Sequence, residues 1–434
     1  MNESPYENNH LVGFFPSFFN LAEAGRGVMI AKRYKELGGK VIIFSHGGKY
    51  EFLARENGFQ IINVNPTITE EKVEVLFKAL ALETFNPKIL LDKEWILENI
   101  EEEIKAFIKT GIKVLVSTNN LTSAFSARAA KIPYININSG PGFFALKIPD
   151  SLENPFTYLI PQSLKIRILN WLMINTKLYL KTINNIASTV GIPPFNNPLD
   201  LYDGDITLVT NNLEFINIFP NQQQFPSEDY IGIILIDELF KNNYFKDKDS
   251  NRINEEIITH LKKPGKSILV SLGSSGSKEL FIKILKTLNN TKYNVIAIHT
   301  SILNEKELTK LNDNILLKKY VPSISKVTEM VDLAIIHGGQ GTVFSTVYAK
   351  KPIIGYPMQI EQHINLEKIV GHGSGLMLSK KYFSEKKLIK AINEIFNNYS
   401  KYLACAQTLA NKLPPANGDK KAALKILDVV KTIS

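Results

Sequence analysis

Short apolar runs alternate with stretches of helical spacing along most of this 434-residue chain. In the first half, Leu11–Phe15, Val41–Phe44, Ile61–Val64, Val114–Ser117, Tyr134–Ile137 and Ile206–Thr210 read as strands. Between the first two, Gly27–Leu37 repeats apolar residues at helical intervals and stops at Gly38-Gly39. Gly47-Gly48 and Tyr50–Glu56 repeat the order of strand, glycine turn and helix. Hydrophobic runs joined in this way predict a parallel sheet covered by helices, with ligands at the carboxyl ends of its strands. A second series starts at Ser267–Leu272 and continues through Asn294–Thr300, Ile315–Leu317, Leu333–Ile336 and Ile353–Tyr356. Helices over Ser384–Asn397, Tyr402–Lys412 and Lys420–Val430 close the chain, the last placed to cross back onto the first half. Asn217–Tyr230 lacks periodicity and Lys241–Asn251 is charged and asparagine-rich, so this region reads as the connection between two α/β halves.

Composition sharpens this picture only slightly. The length favours two domains, and 44% hydrophobic with 21% charged residues is ordinary for a globular protein. The single cysteine, Cys405, excludes an internal disulfide and a cysteine-based zinc site. Met1–His10 is polar and acidic, so no secretory leader is expected, and no apolar run approaches the roughly 20 residues of a spanning helix. A cytoplasmic location is the expectation. The net charge of +9 comes from dispersed lysines without a nucleic-acid motif, which argues against nucleic acid as a partner.

The most telling chemistry lies in residues 333–365. The apolar run Leu333–Ile336 ends in His337-Gly338-Gly339-Gln340-Gly341-Thr342, a turn that opens a helix over Val343–Ala349. Its glycines let a ligand approach the backbone, and a helix N-terminus favours phosphate. Pro352–Tyr356 forms the next strand, and Glu361-Gln362 follows Pro357 on the next loop. A phosphate cradle beside a polar pair suits an anionic, hydroxyl-rich ligand.

With Lys351-Pro352, Pro357 and Glu361-Gln362-His363-Ile364-Asn365 in order, this segment resembles the donor signature of inverting GT-B glycosyltransferases of the UDP-glycosyltransferase type. Ser271-Leu272-Gly273-Ser274-Ser275 resembles that family's Gly-Ser turn, and Gly25–Phe44 with Gly58 resembles its first βαβ unit. The resemblance implies two Rossmann-like α/β/α domains facing each other across a cleft. An N-terminal acceptor domain would span 1–235 and a nucleotide-sugar domain 236–414, with 415–434 a C-terminal helix. It implies transfer of a hexose from a nucleotide sugar, with UDP-sugar the expected donor, to an acceptor hydroxyl. No cofactor is implied beyond that co-substrate, and no metal, because the cradle already neutralises charge.

Residue by residue, the resemblance gives His337 and the backbone of Gly338, Gly339, Gly341 and Thr342 to the diphosphate, with Ser274 adding a hydroxyl. Tyr320, Val321 and Pro322 would pack on the base, and Glu361 and Gln362 would bind the sugar. Ser345 stands where many relatives carry a ribose-binding glutamate. Ser323 replaces a glutamine, and Lys350-Lys351 a Gly-x pair. Glu23 stands at the position of the family's histidine base. A carboxylate in a partly apolar cleft can act as a base; a helix-start glutamate paired with Arg26 is the competing reading. The acceptor cleft would be bordered by Asn119 and Thr122 after one strand and by Phe143 after another.

Residues 141–182 carry aromatic and basic side chains around Trp171, Leu172 and Met173. This pattern fits either a helix lying on an anionic membrane surface or one packing over an acceptor pocket. A lipid or apolar aglycone is the expected acceptor. Two rival functions remain open: a nucleotide-sugar epimerase of the same architecture, and a sugar-nucleotide-binding subunit without catalysis.

Overall fold

The computed structural model describes residues 11–80, 92–139, 160–175, 177, 179–218, 228–241, 247–300, 302–303 and 311–433. Strands β1 (Leu11–Pro16), β2 (Lys40–Ser45), β3 (Ile61–Asn63), β4 (Val114–Thr118), β5 (Tyr134–Asn138), β6 (Ile206–Val209) and β7 (Glu228–Tyr230) form a parallel sheet in the order β3-β2-β1-β4-β5-β6-β7. The second sheet comprises β8 (Ser267–Ser271), β9 (Asn294–Ile298), β10 (Ile315–Lys318), β11 (Leu333–Ile336), β12 (Ile353–Gly355) and β13 (Gly375–Met377). Its order is β10-β9-β8-β11-β12-β13, again parallel. Strand order reverses between β1 and β4 and between β8 and β11. In open α/β sheets the crevice at such a reversal is the binding site.

Helices α1 (Leu21–Glu36), α3 (Gln340–Tyr348) and α4 (Ile360–Gly371) border that crevice, while α2 (Lys93–Thr110) and α5 (Gly418–Ile433) lie outside its lining. The central strands are fully buried, which is why they read as near-continuous apolar runs. Helix α5 returns to the first lobe. Its Ala422, Ala423, Ile426, Leu427 and Val430 share one core with Val28, Met29 and Ala31 of α1. Arg33 of α1 ties this junction together by donating from Nε to Asp419 at 2.6 Å and by pairing with Glu238.

Several local features depart from the sequence expectation. Helix α1 begins at Leu21, not Gly27, capped by the Asn20 side chain, which accepts from the Ala22 N–H at 3.0 Å. Its two early glycines permit close packing, not a turn: a Cβ on Gly25 would lie 2.7 Å from Ile236, and one on Gly27 2.6 Å from Pro16. Helix α3 likewise starts at Gln340, and Glu361-Gln362 occupy the first turn of α4, not a loop. Strands β7 and β13 are three residues each, and β7 falls inside the stretch taken as connection. Glu-Asp-Tyr at a sheet edge offers no apolar run to detect.

Candidate active site

Strand β11 buries Leu333–Ile336 and hands the chain to His337-Gly338-Gly339, with Gly339 as the N-cap of α3. Gly338 has φ of 94°, and a Cβ there would lie 2.6 Å from the Gln362 carbonyl, so glycine is required. The first turn of α3 leaves the N–H groups of Gln340, Gly341 and Thr342 without intrahelical acceptors, at the positive end of the helix dipole. All three residues line a cavity of about 1150 Å³, including its open mouth, between the lobes. A Cβ on Gly341 would meet nothing within 4 Å, so the wall is open there.

His337 sits beneath this turn, buried, with Gly273 (φ 63°) and Gly339 so close that a Cβ on either would overlap its ring. Burial pushes its pKa down to about 4 against a backbone hydrogen bond at Ser271, so the ring is neutral at pH 7. Because the folded value lies below the unfolded one near 6.5, the ring's contribution to stability is complete above pH 6.5. It is lost as pH falls toward 4, and it is on the order of 3 kcal/mol. His337→Asn should therefore lose less stability between pH 7 and pH 4.5 than the wild type does. Urea midpoints at the two pH values measure this, and an equal loss would contradict the assignment.

The opposite wall is the start of α1. Glu23 is buried; one carboxylate oxygen accepts from Arg26 Nη2 and, at 2.9 Å, from Asn119 Nδ2. The other, Oε2, has no hydrogen-bond partner. Asn119 is held in a left-handed conformation (φ 50°), with its carbonyl accepting from the Ser17 hydroxyl at 2.9 Å. Thr118 donates its hydroxyl to the Glu23 carbonyl at 3.0 Å. Arg26 reaches across the cleft, donating from Nη1 to Gln340 Oε1 at 2.8 Å and to Thr210 at 3.1 Å. Gln340 returns a bond from Nε2 to the Thr210 carbonyl at 2.6 Å, so the lobes meet at the cradle itself.

Glu361 lines the cavity, and its Oε1 accepts from Asn365 at 2.9 Å. Burial pushes this carboxyl up and nearby Glu23 adds to the effect, while Arg26 and the Asn365 bond oppose it. Gln362 also lines the cavity, but its side chain is engaged by the Met358 N–H, Ser275 and Gln359. Ser274, Tyr320, Val321 and Pro322 complete the C-terminal wall. Tyr320 packs against Phe52 and Phe240, with ring centroids 6.1 and 5.8 Å away.

At Ser345 the structure adds a carboxylate from elsewhere. Asp237 accepts from the hydroxyls of Ser323 and Ser325, each at 2.8 Å, and Ser325 lies 3.3 Å from Ser345. Neither Asp237, on the interlobe connection, nor Gln340 stands out in the sequence. Only the juxtaposition of lobes gives them a place.

Thr122 stands apart from the cavity. It is buried, and its hydroxyl bonds Glu103 of α2 and Asn120. Glu103 also lies 2.7 Å from His46 Nε2, whose Nδ1 faces the carbonyls of Val64 and Pro66 at 3.1 Å. Phe143 lies outside the described residues. Two Asp-x-Asp triplets, Asp203-Gly204-Asp205 and Asp247-Lys248-Asp249, occur in the chain, and the first of them does not line the cavity. Among the described residues no cluster of three or more His, Cys, Asp or Glu is arranged to hold a metal ion.

Two parallel α/β lobes with a phosphate-type cradle at their switch points give this chain the GT-B fold. Its residues 267–422 match the Glycosyltransferase family 28 C-terminal domain. An uncharacterized UDP-glucosyltransferase of Bacillus subtilis is 27% identical over 54% of this chain. That match spans 55% of the relative, so the chain covers about half of its length. A PGL/p-HBAD biosynthesis glycosyltransferase of Mycobacterium tuberculosis is 24% identical over 70% of this chain and 67% of its own. The structure of the glycosyltransferase SnogD from Streptomyces nogalater superposes with a TM-score of 0.64 at 15% identity, covering 97% of this chain and 99% of that one. This likeness concerns the fold.

Proposed function

We propose that the protein transfers a hexose from a nucleotide sugar, a UDP-sugar in the first instance, to a hydroxyl of an apolar or lipid acceptor, with inversion at the anomeric carbon and without metal. The observation that carries this reading is the placement of the Glu23 carboxylate and the α3 cradle on opposite walls of one cavity. The diphosphate would lie on the N–H groups of Gly341 and Thr342, with His337 beneath and Ser274 beside it. The base would reach Tyr320, Val321 and Pro322, and Glu361 would accept from sugar hydroxyls. Glu23 Oε2 would take the acceptor proton as the hydroxyl attacks from the N-terminal lobe. The cradle would stabilise the leaving diphosphate as its charge grows.

Asn119 would steer Glu23. A relative named as a UDP-glucosyltransferase supports the choice of donor. UDP binding followed calorimetrically, then UDP release with and without acceptor, tests the reading. Release only with acceptor is expected; conversion of the sugar without acceptor would indicate an epimerase, and binding without turnover a binding subunit.

The helix Gln162–Asn175 supports peripheral membrane contact. Leu164, Ile168 and Trp171 fall at i, i+4 and i+7 and are 46%, 45% and 61% exposed. Sedimentation with anionic vesicles should carry the protein down, and Leu164→Glu/Ile168→Glu should leave it in the supernatant. Equal sedimentation of the two would contradict the membrane role. Among the described residues no helix is long and apolar enough to cross a membrane.

A further inference from the structure

Arg26 is the only arginine or lysine among the described residues that line the cavity, and it comes from the lobe opposite the cradle. It is 5% exposed, and its Nε, also buried, has no hydrogen-bond partner. One guanidinium nitrogen is held by Glu23 and another by Gln340, the first residue of α3. The guanidinium therefore borders Gly341 and Thr342, whose N–H groups face the same space. Glu23, Glu361 and Asp237 line the same cavity, so an entering diphosphate would meet several carboxylates. Helix dipole and neutral His337 supply partial charges only. A full positive charge has to come from the Arg26 guanidinium.

Resting on the glycosyl-transfer reading, we infer that Arg26 is a diphosphate-binding catalytic residue that exchanges partners when donor enters. In the free protein its guanidinium covers the Glu23 carboxylate and latches onto Gln340. With nucleotide sugar in the cleft it donates to the diphosphate and uncovers Glu23. The bond from the anomeric carbon to the diphosphate oxygen then breaks with its electron pair on that oxygen, next to Arg26. The acceptor oxygen bonds the anomeric carbon, and its proton passes to Glu23. The base is thus exposed only when there is a donor to attack, and one residue couples occupancy of the C-terminal lobe to chemistry on the N-terminal lobe.

The test compares UDP with uridine, which lacks the diphosphate, on the wild type, Arg26→Gln, Glu23→Gln and the double variant, by calorimetry. Arg26→Gln should weaken UDP binding about 10- to 100-fold while leaving uridine binding within about two-fold, the size of a lost charge-assisted contact. Removing Arg26 alone strands a buried carboxylate, so the double variant guards against misfolding. It should fold as judged by thermal melting, bind uridine normally and remain weak for UDP. If the double variant regained wild-type UDP affinity, Arg26 would serve only to neutralise Glu23 and the inference would fall. Wild-type UDP affinity in Arg26→Gln would overturn it equally. If the wild type bound neither UDP nor dTDP, the glycosyl-transfer reading itself would fail.

Discussion

Glu23→Gln is expected to lower kcat by about 10²- to 10⁴-fold, the usual span for removing a general base, while UDP binding becomes no weaker. The amide has nearly the shape of the carboxylate and still offers an oxygen to Arg26 and Asn119, so the pocket should survive. It cannot take the acceptor proton. The loss should therefore fall on turnover and not on donor affinity, a split that separates a base from a binding residue. UDP release measured under saturating donor and acceptor, with calorimetry on the same preparations, gives both numbers. Unimpaired turnover would remove Glu23 from the chemistry and reduce it to a buried partner of Arg26.

The second large effect concerns Gly341. Its neighbours Gly338 and Gly339 have no room for a side chain, since a Cβ would run into the Gln362 carbonyl or the His337 ring. Gly341 has nothing within 4 Å of that position and is in the first turn of α3. Leucine favours a helix over glycine by roughly 0.5–1 kcal/mol, so Gly341→Leu should melt at or above the wild-type temperature. Its side chain would project into the space assigned to the diphosphate, and UDP affinity should fall by about 100-fold or more. Gly338→Ala should instead lower the melting temperature, because φ of 94° is strained for alanine and the carbonyl cannot retreat. Calorimetry and thermal melting on the pair separate the two glycines. Normal UDP binding by Gly341→Leu would place the diphosphate elsewhere.

The parts legible from sequence were those in which one local rule dominates. Buried parallel strands such as Val114–Thr118 and Leu333–Ile336 must be apolar on both faces, so they announce themselves. The His337–Thr342 turn is equally visible, because a backbone that must approach an anion is written in glycine. Elsewhere two rules compete. Gly25 and Gly27 look like a turn, but they lie within α1 because Ile236 and Pro16 press against them. Thr122 follows a strand end in the way a binding residue would, yet its hydroxyl turns inward to Glu103. Gln340 and Asp237 acquire a role only once the lobes meet, and no single-chain pattern encodes that meeting. The donor half of the site is thus carried by local sequence, and the catalytic half by contacts between distant segments.

The central claim is sugar transfer across this cleft, and the most direct measurement is the anomeric configuration of a product. UDP-α-glucose would be incubated with a panel of phenolic and lipid hydroxyl acceptors, and the products analysed by NMR together with released UDP. The expected result is a β-linked glycoside formed in step with UDP for at least one acceptor, with both appearing about 10²- to 10⁴-fold more slowly in Glu23→Gln. An α-linked product, or tight UDP binding with no acceptor-dependent release across the panel, would contradict it.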